Sequence, residues 1–335
     1  MLSDATEAAV PGAAPAQAAP ARRGSLLTWP ALVAASLAGY GMLVGPANLS
    51  YEAALQVHFL ILFPAIFLLE RIMPYHRAWN GFDRQALNDF AYNFLFTGAQ
   101  VAAASAAVFL IGRASAPAGG DLFGIAGLPF LAQCALFAVL ADLIYYFYHR
   151  AFHTWGALWR FHAIHHSSSQ LHILNNARVH PLEVFVAFTP IVAFAYLVKA
   201  PVDVLSWFLA LQLTVGLLTH SNIAVSSGPC SWLFSTPELH HWHHSRDRLE
   251  QDNNYGSTLM LWDHLFGTYY NPSGRYASEA IGTTTEIPSG LIQQLRFPFT
   301  RPGSPGARSA EAARPPQAAL TRSEPSLDAK RGTVS

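Results

Sequence analysis

Residues 141–153 read ADLIYYFYHRAFH, the close of a long apolar run that finishes in two histidines four positions apart. Residues spaced by four share one face of an α-helix. A single helix through this stretch therefore brings Asp142, Tyr145, His149 and His153 onto a common face. An apolar helix that ends in imidazoles predicts a segment leaving a membrane with metal-ligating side chains at its end.

The rest of the chain supports a membrane setting. Of its 335 residues, 52% are hydrophobic, 13% aromatic and only 12% charged, against about a quarter charged in a soluble domain. Apolar runs near the roughly 20 residues that cross a bilayer occur at 25–46, 54–73, 90–112, 124–148, 182–198 and 202–219. The last two flank Lys199, Ala200, Pro201, Val202 and Asp203, so they form either a tight hairpin through the membrane or a re-entrant pair. Residues 1–24 and 297–335 are rich in Ala, Pro, Ser and Arg with few large apolar side chains. Such composition buries no core, so both are expected to be disordered tails around a folded region at 25–296.

Twenty Lys plus Arg balance twenty Asp plus Glu, which leaves no basic surplus for nucleic acid. Cys134 and Cys230 alone make neither a disulfide framework nor a thiolate zinc site. Cytoplasmic loops of membrane proteins are enriched in Lys and Arg. Here Arg22, Arg23, Arg71, Arg77, Arg84, Arg150, Arg160, Arg178, Arg246 and Arg248 alternate with poorly charged turns, which places the N-terminus on the cytosolic side. On that topology every histidine but His58 lies at or near the cytosolic surface.

Histidine is the outlier, with 15 copies. Three clusters stand out: His149 and His153; His162, His165 and His166; and His240, His243 and His244 within HHWHH. Each has helical i, i+3 or i+4 spacing, which predicts that each cluster points its imidazoles in one direction. Neutral imidazole binds iron, copper, nickel and zinc. Eight imidazoles exceed the needs of one ion, so two metals are expected. Asp142, Glu183 and Glu238 are candidates to accept a proton from a ligand imidazole and fix its tautomer. His58, His76, His172 and His264 read as ordinary core or surface residues, and His241 points away from the face of its neighbours. Trp155, Trp159, Phe161 and Trp242 are candidate walls of a substrate channel or interfacial anchors. Neither a zinc-protease HExxH nor a GxSxG elbow is present, which leaves hydrolysis without a carrier.

The ordered series HRAFH, HAIHH, ARVHPLE, HSNIA, STPELHHWHHS, NNYGS and LWDHLFGTYY resembles the fatty acid hydroxylase superfamily, in particular its bacterial sterol desaturase-like branch. The likeness covers residues 85–271 and is densest from 142 onward. It implies an all-α integral membrane bundle of about four to six spans under a cytosolic histidine-rich helical cap. It also implies two iron ions, with zinc a possible substitute, and dioxygen as co-substrate for hydroxylating or desaturating a lipid. His180 and His220 match further ligand positions and bring the implied set to ten. Asn254, Tyr255, Gly256, Trp262, Asp263, Phe266 and Gly267 match C-terminal motifs of structural character. A fused cytochrome b5 segment is not evident, so electrons are expected from a separate protein. Sterol C-5 desaturases carry a histidine where this chain has Ala177, which argues against a literal sterol desaturase.

Competing readings are an alkylglycerol monooxygenase-like enzyme, a lipid head-group hydroxylase, and a membrane metal or haem transporter. A transporter places ionisable ligands along a path through the bilayer, whereas these gather at one surface. The expected location is a multi-pass bacterial inner membrane.

Overall fold

The computed structural model describes residues 26–81, 83, 85–93, 109, 113, 127–272, 277 and 280–301. The tail expected at 1–24, most of that expected at 297–335, most of the apolar run 90–112, and Arg84 lie outside the described residues. Among the described residues the elements are helical, and the only ladder contacts are isolated bridges such as Pro74 with Ile223 and Phe234 with Leu259.

Helix α1 spans Thr28–Val44 and α2 spans Tyr51–Ile72. Ser50 caps α2 by accepting from the Ala53 N–H, and Pro74 lies just past its end. A short α3, Ala86–Tyr92, precedes the long α4 at Phe130–Thr154. The 25 residues of α4 extend about 37 Å at 1.5 Å per residue, longer than a hydrocarbon core of about 30 Å. The apolar run expected to stop at 148 therefore continues as one helix through His149 and His153, as the opening stretch predicted. After α5, Gly156–His162, come α6, Pro181–Leu197, and α7, Val202–Thr219. A tight turn with Lys199 in the left-handed region joins α6 to α7. Among the described residues three helices, α2, α4 and α7, are long and apolar enough to cross a membrane; α1 and α6 are shorter apolar helices.

Helix α7 is the axis of the bundle and packs against α1, α2 and α4. Its buried side chains include Val204, Leu205, Phe208, Leu209, Thr214, Val215 and Leu218. Polar atoms in an apolar bundle need partners inside it. The Thr214 hydroxyl lies 2.9 Å from Ser36 Oγ and 3.1 Å from His58 Nε2, and donates to the Ala210 carbonyl. His58 thus staples α1, α2 and α7, in keeping with its reading as a core residue.

The remaining elements form a cap over one end of the bundle. Two of its loops are tied to the end of α2 by Glu70, whose Oε1 accepts from the backbone N–H of Ile173 at 2.7 Å and of Asn222 at 2.8 Å. Arg178, 1% exposed, donates to Asp89 of α3 at 2.6 Å and to Ser167. The folded body also passes the boundary expected at 296. Phe297 is 3% exposed, and Arg160 of α5 donates to the carbonyls of Phe297, Pro298 and Thr300. An aromatic side chain and a guanidinium fork hold a segment that composition alone marked as a tail.

Candidate metal centre

Nine histidines converge at the junction of bundle and cap in two groups, His149, His153, His162, His166 and His243 in one and His165, His220, His240 and His244 in the other. All nine imidazoles are buried, although His240 as a whole residue is half-buried. The second and third sequence clusters do not point in single directions as expected. Each is divided between the two groups, and local geometry explains why.

Successive residues of a helix are rotated by about 100°. His243 and His244, at i+3 and i+4 from His240, therefore flank its direction on opposite sides, and α8, Pro237–His243, sends His243 to the first group and His244 to the second. In the middle cluster α5 ends at His162 and a tighter 3-10 turn, His165–Ser167, takes over. That change sends His165 to the second group while His166 rejoins His162. The His166 and His244 rings stack at 4.3 Å between centroids, so the groups share a wall. His220 enters at the end of α7.

Hydrogen bonds fix the tautomers. His149 Nδ1–H donates to the Tyr255 carbonyl at 2.8 Å, and His243 Nδ1–H to the Asn253 carbonyl at 2.7 Å. The Nδ1 atoms of His162 and His153 face carboxylates, Glu183 at 2.6 Å and Asp252 at 3.1 Å. With the proton held on Nδ1, each Nε2 presents a lone pair. Yet Nε2 of His162 lies 3.1 Å from Nε2 of both His149 and His166, while Nε2 of His153 and of His243 is buried without a partner. Lone pairs crowded at that distance repel unless a cation lies between them. In the second group, Nε2 of His220 is 3.2 Å from that of His165 and 2.8 Å from that of His240, which is 3.1 Å from His244. The donor set fits two metal ions, one per group.

Burial keeps these imidazoles neutral. It lowers His162 from an ordinary 6.5 to about 3 and pushes His165, His166, His240, His243 and His244 well below 6.5. Below that value the unfolded chain takes up protons that the folded state refuses, so stability present above 6.5 is lost as pH falls. Chelator-stripped protein in detergent is expected to lose melting temperature from about pH 7 to about pH 5, and bound metal, which needs deprotonated ligands, to raise the melting temperature without flattening this loss. A flat melting temperature over this range contradicts the assignment.

The expected supporting carboxylates fare differently. Glu183 meets His162 and also accepts from the Tyr148 hydroxyl at 2.9 Å. Asp142 reaches no imidazole, because its carboxylate accepts from the Thr258 N–H at 2.9 Å and Ser257 Oγ at 3.2 Å. It anchors the loop whose Tyr255 carbonyl orients His149. Glu238 accepts from the Ser227 N–H at 3.2 Å. Sequence reading missed Asp252, which directly precedes the Asn253, Asn254, Tyr255, Gly256 run; its charge and position just before a motif were the available signal.

That run owes its shape to Asp263, on helix α9, Leu261–Phe266, which accepts from the N–H groups of Tyr255 and Gly256, both at 2.8 Å. A Cβ at Gly256 would overlap the Leu259 carbonyl.

His180 lies outside both groups. It caps α6: Nδ1 accepts from the Leu182 N–H at 3.1 Å, and Nε2–H donates to the Leu295 carbonyl at 3.1 Å. With both nitrogens engaged it has no lone pair for a metal. His180→Ala is expected to retain full metal content and to cost about 0.5–2 kcal/mol as a lost helix cap; metal analysis and melting of the purified variant check this. His241 packs against Tyr75 and Trp79, and His264 stacks on Tyr269, both apart from the two groups.

A cavity of about 210 Å³ opens from the metal groups into the bundle. His149, His162, His165, His220 and His240 line one end, and Leu55, Val184, Ala187, Phe188, Leu209 and Leu213 wall the rest. The expected aromatic walls are elsewhere. Trp155 is 66% exposed, Trp159 packs on His153 and His166, Phe161 on His180, and Trp242 on Tyr270.

Comparison with known proteins agrees with this architecture. An ornithine lipid hydroxylase of Rhizobium tropici is 37% identical over 285 residues, covering 83% of this chain and 85% of that protein. A fatty acid hydroxylase of a Lecanicillium species is 34% identical over 150 residues, 40% of each chain. Human alkylglycerol monooxygenase is 30% identical over 131 residues, 38% of this chain and 28% of the human protein. No solved structure matches. Residues 134–268, which carry all nine converging histidines, match the fatty acid hydroxylase family, and with a relative alike over most of its length the chain belongs to that family.

Proposed function

We propose that this membrane lipid hydroxylase holds two iron ions, uses dioxygen, and hydroxylates an ornithine-containing lipid at the cytosolic face of a bacterial inner membrane. The observation that carries the reading is the cavity joining both histidine groups to apolar walls between α4, α6 and α7. A lipid entering it has its reacting carbon beside the imidazoles and its chain among Leu and Phe side chains. The ornithine lipid class comes from the relative that matches along most of this chain. An alkylglycerol ether substrate is the weaker reading, since that likeness covers only 38% of the chain.

Iron held by these two groups of imidazoles would supply the activation of dioxygen that an unactivated C–H bond requires. The remaining work belongs to the chain. Nine buried imidazoles and the apolar cavity wall keep bulk water away from the reacting carbon. Glu183, Asp252 and the carbonyls of Tyr255 and Asn253 hold the Nδ1 protons so that each Nε2 faces inward. Hydroxylation inserts one oxygen atom into a C–H bond and reduces the other to water. It therefore consumes two electrons and two protons from outside the chain, and a separate one-electron donor protein supplies the electrons.

The test is expression in a host that makes ornithine lipid, with metal analysis of the purified protein and lipid mass spectrometry under labelled dioxygen. The reading expects about two irons per chain and one labelled oxygen in the product. Label drawn from water, or zinc in an active preparation, overturns it.

A further inference from the structure

We propose that Gln212 and Gly216 of α7 form a recognition track, on which the Gln212 amide hydrogen-bonds a carbonyl of the lipid while its reacting carbon lies at the metal centre. The proposal rests on the reading of the cavity as a lipid site and adds a residue that selects the lipid. Gln212, Gly216 and His220 are spaced by four, so they lie in a row on one helix face, and all three line the cavity. Eight residues of rise put Gln212 about 12 Å along the helix from His220.

Two observations point to a ligand. Gln212 is a half-buried polar side chain inside an apolar, membrane-length helix, it lines the cavity, and its amide makes no hydrogen bond among the described residues. A polar group in such surroundings is costly until it finds a partner. Independently, Gly216 sits mid-helix, where glycine is about 0.5–1 kcal/mol less favourable than alanine. Close helix packing does not explain it, since a Cβ there would meet nothing within 4 Å. What the missing side chain leaves is open cavity between Gln212 and the metal end. Leu209 and Leu213 flank the track and suit the methylenes on either side of a carbonyl.

The test compares wild type, Gln212→Leu, Gly216→Ala and Gly216→Leu in detergent, with metal content and melting as controls for folding. Binding is measured for two probes, ornithine lipid and a carbonyl-free dialkylglycerol ether of equal chain length. Gln212→Leu is expected to weaken ornithine lipid by ~10-fold or more, about one lost hydrogen bond, and to leave the ether unchanged. Gly216→Ala is expected to weaken binding of both probes in part, and Gly216→Leu to bind neither.

Equal effects of Gln212→Leu on both probes, or none on either, overturn the proposal, as does full binding by a folded Gly216→Leu. Wild type that binds neither probe overturns both this proposal and the assigned substrate. Selective weakening without turnover of ornithine lipid upholds the track and overturns the substrate. Turnover with an indifferent Gln212→Leu does the reverse.

Discussion

Alanine at His243 and alanine at His244 are expected to empty different halves of the centre, although the two residues are neighbours in sequence. His243 belongs to the group of five imidazoles and His244 to the group of four. Removing His243 leaves four nitrogens around one ion and the other set intact. Removing His244 leaves only three around the second ion. The His244 variant is therefore expected to hold one tight ion and lose the second nearly completely. The His243 variant is expected to retain a weakened first site, with bound metal between one and two per chain after dialysis. Both are expected to lose lipid oxidation by ~1000-fold or more, because the chemistry acts through the ions themselves. Metal analysis after graded chelation, with turnover on the same samples, checks the order of loss. Equal metal content in the two variants would show that the division into groups is wrong.

That division is also where sequence reading reached its limit. The helical spacing of His149 and His153 was legible because one unbroken helix carries both, and α4 continues straight through them. Spacing misled where the helix ended. His162, His165 and His166 have an i, i+3, i+4 pattern, but the backbone tightens after His162, and a periodicity argument assumes a constant turn. His220 lies within the second group, whereas His180 caps α6, since a histidine before Pro181 is also a good helix cap and spacing does not separate the two roles. The carbonyls of Tyr255 and Asn253 leave no trace in residue type at all. Asp142 shows the same limit from the other side: it sits on the expected face of α4, yet the loop at 257–258 meets its carboxylate before any imidazole does. The apolar runs were the most legible feature, because burial in lipid constrains composition over many residues at once.

Glu183 is the carboxylate that meets His162, and its replacement has the second largest expected effect. Its Oε1 accepts from both His162 Nδ1–H and the Tyr148 hydroxyl, and the side chain is 2% exposed. Leucine there would leave two buried donors without partners, each costing about 1–3 kcal/mol. It would also free His162 to place its proton on Nε2, the nitrogen that faces the metal. Loss of such an outer partner lowers metal affinity by about 10–100-fold, and Glu183→Leu is expected at the upper end because the fold itself is weakened. Glu183→Gln keeps an oxygen where both donors point but removes the negative charge, so its affinity is expected to fall by only ~10-fold or less. Metal competition titrations on both variants, beside their melting curves, measure the two contributions separately. Should Gln and Leu lower metal affinity equally while only Leu lowers the melting temperature, charge rather than hydrogen-bond geometry holds the tautomer. If neither variant changes affinity, the His162 tautomer is set elsewhere.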